Sequence, residues 1–434
     1  MASEIYTRLQ TLSFTRPSGT AEERKAAAFL AEEIRKAGFE PQVEGFEYTH
    51  RVPVRAEVTA ILADGSERSF PVTGLIDSAE TTESGETGEF FYLKSFDEVS
   101  LSRVRGKIVL LHDRLSQKEY RRLLEAGVKA YLTTSGTVRD TYENSDLETA
   151  RFRLSAHGLQ PLPAFTIRMI EAVELLRVKP VALRVVLRLE EKTVASQNLV
   201  VTVPGTDKAA ETLVVGAHYD SVPFSFGAWD NGAGAVEVVQ LLSALKQHPP
   251  RRTVKAILFG SEETGLRGSK AWVKAHEGEL PQIQGMVNVD VGGSILGKEI
   301  VFVTAEDEAE TWAKQLLREV GYAAVTTQRV MSSDCAVFSD HGVPSISMGQ
   351  GAPRGGGYMH TRYDNMDLIS ADVLEAEAAF LAKLVLRLAD AEVFPIRRRI
   401  PEKLRKDLID YFGKEQSAAA SLPPDEDPSL PFHF

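Results

Sequence analysis

The chain has 434 residues, 43% hydrophobic and 26% charged, with a formal net charge of −11, the profile of a globular protein too long for one ordinary core. That acidic balance argues against nucleic acid or an anionic membrane surface as a partner. The single cysteine, Cys335, excludes an intrachain disulfide and a thiolate zinc cluster, so any metal must be held by His and carboxylate.

The first residues lack the apolar core of a signal peptide, and no apolar run is long enough to span a bilayer. The expectation is a cytoplasmic protein, although a secreted mature form would read the same. Ser18-Gly-Thr20-Ala-Glu-Glu23 predicts a capping box, with Thr20 as N-cap and Glu23 reaching back to it. It opens an amphipathic helix to about Ala37, stopped by Gly38. From Gly45 the pattern alternates, and Asp64-Gly65 marks a hairpin turn.

Residues 50–190 read as a separate, inserted unit. It contains a buried strand, Gly106 to Leu111, a helix from Tyr120 to Ala126 closed by Gly127, and an apolar stretch from Lys129. A polar loop from Ser135 to about Ala150 and a helix from Ile167 to Leu176 complete it. His112 and His157 stand alone and read as surface or satisfied core residues.

The second half alternates strand and helix, the signature of an α/β sheet covered on both faces. Strands are expected at Leu213–Val215, Val254–Phe259, Gly285–Val289, Ile300–Val303 and Val343–Met348. Helices are expected at Ala233–Leu245, Glu308–Val320 and Ala371–Leu388, the last capped by Ser370. With the N-terminal helix these form one large, mostly parallel sheet unit, residues 1–49 and 191–393. Residues 394–434 form a C-terminal extension with a short helix around Leu404, Leu408, Ile409 and Phe412. Its Pro- and acid-rich tail from Ser417 reads as disordered or as packing on a partner subunit.

In an open parallel sheet, ligands bind beyond the carboxyl ends of the strands. His218 follows the strand at Val215, Glu262 and Glu263 follow Phe259, and Asp290 follows Val289. His360 lies in the loop after the strand ending near Met348, and Asp230 begins the helix after the first of these strands. Zinc takes His nitrogen and carboxylate oxygen at about 2.0–2.2 Å, and a catalytic site keeps one position open for water. Five ligands are too many for one such ion and too few for two, unless one carboxylate bridges. Asp230 is the candidate bridge, which would set two metals about 3.5–4 Å apart with a shared water. Adjacent residues leaving a strand point in different directions. Glu263 is therefore assigned to metal, and Glu262 to proton transfer from the water to the leaving amine. Asp220 is placed to accept the second imidazole proton of His218.

His-Tyr-Asp-Ser at 218–221, Trp-Asp-Asn-Gly-Ala-Gly at 229–234 and Ser-Glu-Glu-Thr-Gly-Leu-Arg-Gly-Ser at 261–269 resemble the dinuclear-zinc aminopeptidase family. So do Asn-Val-Asp at 288–290 and His-Thr-Arg-Tyr-Asp at 360–364. That family includes aminopeptidase Y and the glutamate carboxypeptidase II relatives. The resemblance implies one metal on His218, Asp230 and Asp290, a second on Asp230, Glu263 and His360, and Glu262 as general base. It also implies an oxyanion or substrate contact from Tyr358 or Tyr363, between which the sequence does not choose. Arg105-Gly-Lys-Ile-Val-Leu-Leu, Glu125-Ala-Gly-Val-Lys-Ala and Leu162-Pro-Ala-Phe-Thr-Ile resemble the protease-associated domain, a mainly β (α+β) insert that shapes access to the cleft. Ser333-Asp334-Cys335 departs from the Ser-Asp-His that the family often carries.

The expected fold is thus an α/β zinc-exopeptidase-like sheet with an inserted protease-associated domain. The expected activity is two-zinc aminopeptidase hydrolysis of peptides with a free N-terminus, with Co²⁺ or Mn²⁺ as substitutes for Zn²⁺. A dinuclear-zinc carboxypeptidase or N-acyl amino-acid amidohydrolase is the alternative within the same chemistry. A receptor-like homologue without metals is the non-enzymatic one. Homo-oligomerisation is left open.

Overall fold

The computed structural model describes residues 3–112, 115–149, 159–352 and 358–413. Helices α1 (Glu4–Leu12) and α2 (Ala21–Lys36) lead into the long strand β1 (Gln42–Ile61), β2 (Glu67–Phe70), β3 (Val72–Gly74) and β4 (Glu86–Leu93). After α3 (Glu98–Leu101) come β5 (Ile108–Leu111), α4 (Gln117–Glu125), β6 (Ala130–Ser135), β7 (Ala164–Arg168) and α5 (Met169–Arg177). A second long strand, β8 (Ala182–Val203), leads into β9 (Lys208–His218), α6 (Ala233–Gln247), β10 (Arg252–Phe259), α7 (Arg267–Ala275) and β11 (Ile283–Val289). The chain continues through β12 (Lys298–Thr304), α8 (Asp307–Val320), β13 (Val325–Gln328), α9 (Asp334–Asp340), β14 (Ser345–Gly351), α10 (Ala371–Asp390) and α11 (Glu402–Phe412).

β14, β11, β9 and β10 lie side by side in that order and are mutually parallel, with β12 and β8 antiparallel on the flanks. Their side chains alternate between two cores, as the period of a strand requires. Leu213, Val215 and Ala217 of β9 pack with α1, α2, α6, α8 and α10, whereas Val214 packs with α7 and α9 on the other face. The sheet is therefore mixed, mostly parallel and covered on both sides. Among the described residues no helix is long and apolar enough to cross a membrane.

The chain enters and leaves the region between β1 and β8 through a continuous antiparallel ribbon. The two strands pair from Gln42↔Val200 to Ile61↔Ala182, with one irregularity at Pro53/Arg55. The sequence boundaries at 50 and 190 fall inside this ribbon, where no linker exists. Beyond it β4, β5, β6 and β7 form a smaller sheet. Ile108 and Leu110 face a core against α5, and Val109 and Leu111 face one against α4.

Some local expectations shift. The helix expected from Ile167 begins at Met169, because Ala164–Arg168 is recruited as β7. The sequence pattern did not single out α1, α7, α9 and β8 as elements. Thr20 caps α2 by accepting from the Glu23 amide at 3.2 Å. The reciprocal half of the capping box is absent, since the Thr20 amide donates to Pro17 O and the Glu23 carboxylate goes elsewhere. α11 packs on α9 through Leu404 and Leu408, and the tail from Ser417 lies outside the described residues.

Beneath the carboxyl ends of the central strands, α6 and α10 bring together two buried acids, Glu237 and Glu377. Burial raises both well above the ordinary carboxyl value of 4.5, with the charge of Glu299 adding to the rise at each and that of Glu237 adding to the rise at Glu377. The folded state thus holds protons that the unfolded chain releases near pH 4.5, and stability contributed here falls as pH rises above that value. Glu237→Gln keeps the shape and a donor toward Glu377 while removing the ionisation. Its Tm should exceed the wild-type Tm at pH 8 and converge with it toward pH 5, as thermal unfolding at the two pH values would show.

Candidate metal centre

Register brings the first residues together. Asn288 of β11 stands opposite Gly216 of β9, so two residues further on Asp290 stands level with His218. His218 is in turn opposite Phe259 of β10, which puts Ser261, Glu262 and Glu263 immediately beyond the same edge. In chain order β9 leads to β10 on one side while β11 lies on the other, so the edge is also the switch point at which open α/β sheets bind ligands.

Asp230 arrives from the loop between β9 and α6. Asn231 anchors it by donating to Val289 O at 2.8 Å and accepting from the Gly234 and Val291 amides at 3.0 and 3.3 Å. Gly234 is required here, because a Cβ would lie 2.5 Å from Asn231 Oδ1 and 2.6 Å from Val289 O. Asp364 holds the same loop from the other side, accepting from the Trp229 amide at 2.7 Å and the Asp230 amide at 3.1 Å.

Two donor groups result. His218 Nε2 lies 3.1 Å from Asp230 Oδ1 and 3.3 Å from Asp290 Oδ1. His360 Nε2 lies 3.1 Å from Asp230 Oδ2 and 3.1 Å from Glu263 Oε2. Each group has its donor atoms within 4.8 Å of one another, and Asp230 belongs to both. One imidazole nitrogen carries one proton or one lone pair, so it cannot satisfy two carboxylate oxygens at once. Among the described residues, no hydrogen-bond partner meets the buried oxygens Asp290 Oδ1 and Glu263 Oε1. Ligands about 2.0–2.2 Å from a tetrahedral zinc are separated by roughly 3.3–3.6 Å, close to the spacing found. The residues therefore fit cations at both positions.

The electrostatics agree. Burial alone would raise the Asp230 carboxyl, but the hydrogen bonds and charges of His218 and His360 hold it below the ordinary range. Glu263 beside it carries the His360 imidazole up to about 12. Burial works against the His218 imidazole, yet Asp290, Asp220 and Asp230 carry it well above 6.5. Burial pushes the half-buried Glu262 carboxyl well above 4.5 against the pull of His218, and Glu263, Asp334 and Asp290 add to the rise.

Asp220 is more than a neighbour of His218. Its Oδ1 is 3.5 Å from His218 Nδ1, a long contact, while its shorter bonds take the Glu262 amide at 2.9 Å and the Glu263 amide at 3.2 Å. Ser18 Oγ donates to it at 2.8 Å. Non-glycine residues with left-handed backbone gather at the rim: Ser261 (φ 54), Val291 (φ 73) and His360 (φ 58). Such conformations persist where surrounding contacts impose them.

Of the two tyrosines, Tyr358 is buried and stacks on Trp229 with ring centroids 4.4 Å apart, whereas Tyr363 is exposed. Burial drives the thiol of Cys335, on α9, up to about 12, the opposite of an activated nucleophile. Sequence pattern alone assigned no role to Asp364 or Arg16. Asp364 stands four residues after His360 and is the one signal the sequence offered. Arg16 is fully buried and donates to the carbonyls of Leu12, Phe14, Tyr219, Phe226 and Gly227, tying the N-terminal segment to the loops around the site.

Fold and site together place the chain among the zinc exopeptidases. The model of peptidase family M28 matches residues 198–385, the segment that carries β9 and most of α10. Aminopeptidase YwaD of Bacillus subtilis (strain 168) is 27% identical over 432 residues, covering 95% of this chain and 90% of its own. Carboxypeptidase Q of Mus musculus is 25% identical over 381 residues, covering 81% and 79%. Among solved structures, BSAP, a zinc aminopeptidase from Bacillus subtilis, has the same fold, with a TM-score of 0.72, 24% identity and coverage of 92% of this chain and 98% of that one.

Asp364→Asn leaves an NH₂ facing one of the two amides that the carboxylate now accepts. The loop carrying Asp230 should then loosen and zinc affinity drop by about 10–100-fold, to be measured by competition with a chromogenic chelator.

Proposed function

We propose that the protein is a two-zinc aminopeptidase that removes the N-terminal residue of peptides. The observation that carries this is Asp230, whose two oxygens face His218 and His360 separately, so that one carboxylate serves two cation positions. His218, Asp230 and Asp290 would hold one zinc, and Asp230, Glu263 and His360 the other. When bound, the ions supply Lewis acidity that lowers the pKa of water and polarises the scissile carbonyl.

The chain's own residues do the rest. Glu262 follows Ser261 at the same edge, half-buried and adjacent to the ligand Glu263. That suits a group which takes a proton from the attacking water and delivers it to the leaving amine nitrogen. Asp220 orients both Glu262 and Glu263 by holding their amides.

Amino- rather than carboxypeptidase action is supported by where the cations go. Among the described residues, Arg16, Arg267 and Arg362 stand on segments that build the site, and each is engaged elsewhere, Arg267 by donating to Thr264 O at 3.2 Å. Arg16 is spent on backbone carbonyls, and Arg362 forms a bidentate pair with Asp146 at 2.8 and 2.6 Å. The carboxylates of the centre suit an α-ammonium group, whereas a substrate α-carboxylate would need a free cation. We further infer that residues between β1 and β8 act as a protease-associated cap, since Asp146 and Glu143 O clasp Arg362, two residues from His360.

Purified enzyme should contain two zinc ions per chain. Aminoacyl-anilides should be cleaved in preference to N-blocked peptides and acyl-amino acids; the reverse preference would favour the carboxypeptidase or amidohydrolase reading. Glu262→Gln should retain both metals while kcat falls by several orders of magnitude, consistent with losing a general base alongside the positioning it provides. Retained turnover would reject the assignment.

A further inference from the structure

Glu23 lies on α2, far along the chain from the residues that face the metal positions, and its side chain is fully buried. A first-turn glutamate in a capping box reaches back to the N-cap amide, but here Thr20 caps the helix without it. The carboxylate instead accepts four hydrogen bonds: from the Gly19 amide at 2.7 Å, Ser196 Oγ at 3.0 Å, the Ser261 amide at 2.9 Å and Ser261 Oγ at 3.0 Å. Helix capping therefore does not explain why this acid is buried.

Its partner does. Ser261 immediately precedes Glu262 and adopts the left-handed backbone (φ 54) that redirects the chain as it leaves β10. The next two amides, of Glu262 and Glu263, are held by Asp220 at 2.9 and 3.2 Å. Three consecutive backbone N–H groups are thus each aimed at a buried carboxylate, the first at Glu23 and the others at Asp220. Charge-assisted bonds of this kind are short and directional. They leave the turn no freedom to rotate and so decide which way the Glu262 and Glu263 side chains point. Ser196, on β8, closes the arrangement by holding Glu23 from the sheet side.

We propose that Glu23 is a positioning residue for Glu262, acting through the Ser261 amide and hydroxyl to set the approach of the Glu262 carboxylate. The assignment rests on the reading of Glu262 as the general base. Glu23→Gln keeps the volume and one acceptor but puts an NH₂ group against a donor. It should retain two zinc ions and the wild-type far-UV spectrum, with KM for an aminoacyl-anilide unchanged and kcat lowered by about tenfold or more, as for outer-shell supports of other sites.

The decisive comparison is a double-mutant cycle. If Glu23 works through Glu262, adding Glu23→Gln to Glu262→Gln should lower kcat no further. The proposal is overturned if Glu23→Gln lowers only Tm and leaves kcat intact, or if its effect on kcat persists in full without Glu262. Should Glu262→Gln itself retain turnover, the reading of the base fails, and that result is separate from either outcome for Glu23. If Glu23→Gln does not fold, Ser261→Ala, which removes only the hydroxyl donor, should give the same kcat loss in smaller measure; wild-type kcat would overturn the proposal.

Discussion

The structure depends on one carboxylate held in one place. Asp230 must offer an oxygen to each of two imidazoles that leave the sheet on different loops, and a displacement toward either would break the contact with the other. Several neighbours prevent that displacement. Asn231 ties the loop to the end of β11, Asp364 takes the amides of Trp229 and Asp230, and Gly234 admits α6 close enough for both. The parallel register of β9, β10 and β11 then delivers His218, the Glu262–Glu263 turn and Asp290 to the same level. Precision at the centre comes from hydrogen-bonded backbone, which is rigid, more than from side-chain rotamers, which are soft.

A second consequence of this design is concentrated buried negative charge. Asp220, Asp230, Asp290, Glu262, Glu263, Asp334 and Asp364 gather around one edge. Burial raises the carboxyls of Asp334 and Asp364 to about 7, and Glu23 is raised likewise. Each isolated acid would be costly in a low-dielectric interior. The cost is offset partly by amide donors, as for Asp220 and Asp364, and partly by the cations the centre is shaped to take. Folding and metal binding are therefore linked, since ions that bind only the assembled centre stabilise the folded state by mass action.

The region between β1 and β8 is joined to the catalytic sheet twice. The β1–β8 ribbon continues the hydrogen-bond ladder from one sheet into the other, and the Arg362–Asp146 pair closes the connection near His360. A ribbon pinned at one end swings less freely than a flexible linker would allow.

The chain alone was enough to identify the alternation of strand and helix in the second half, the strands that end at the site, and the five residues that the structure gathers. Each was legible because strand ends and loop chemistry are local, and because parallel strands send their C-terminal loops to a single edge of the sheet. It did not disclose the β1–β8 ribbon, which runs through the expected boundaries, or the short helices α7 and α9, whose apolar stripes are brief. Nor did it indicate that Glu23 would abandon its cap for Ser261, or that Asp220 and Asp364 would hold backbone amides. Those choices depend on which donors lie within about 3 Å after folding. Such distances between segments 42 to 238 residues apart are set by packing and register, quantities that no local pattern of side chains contains.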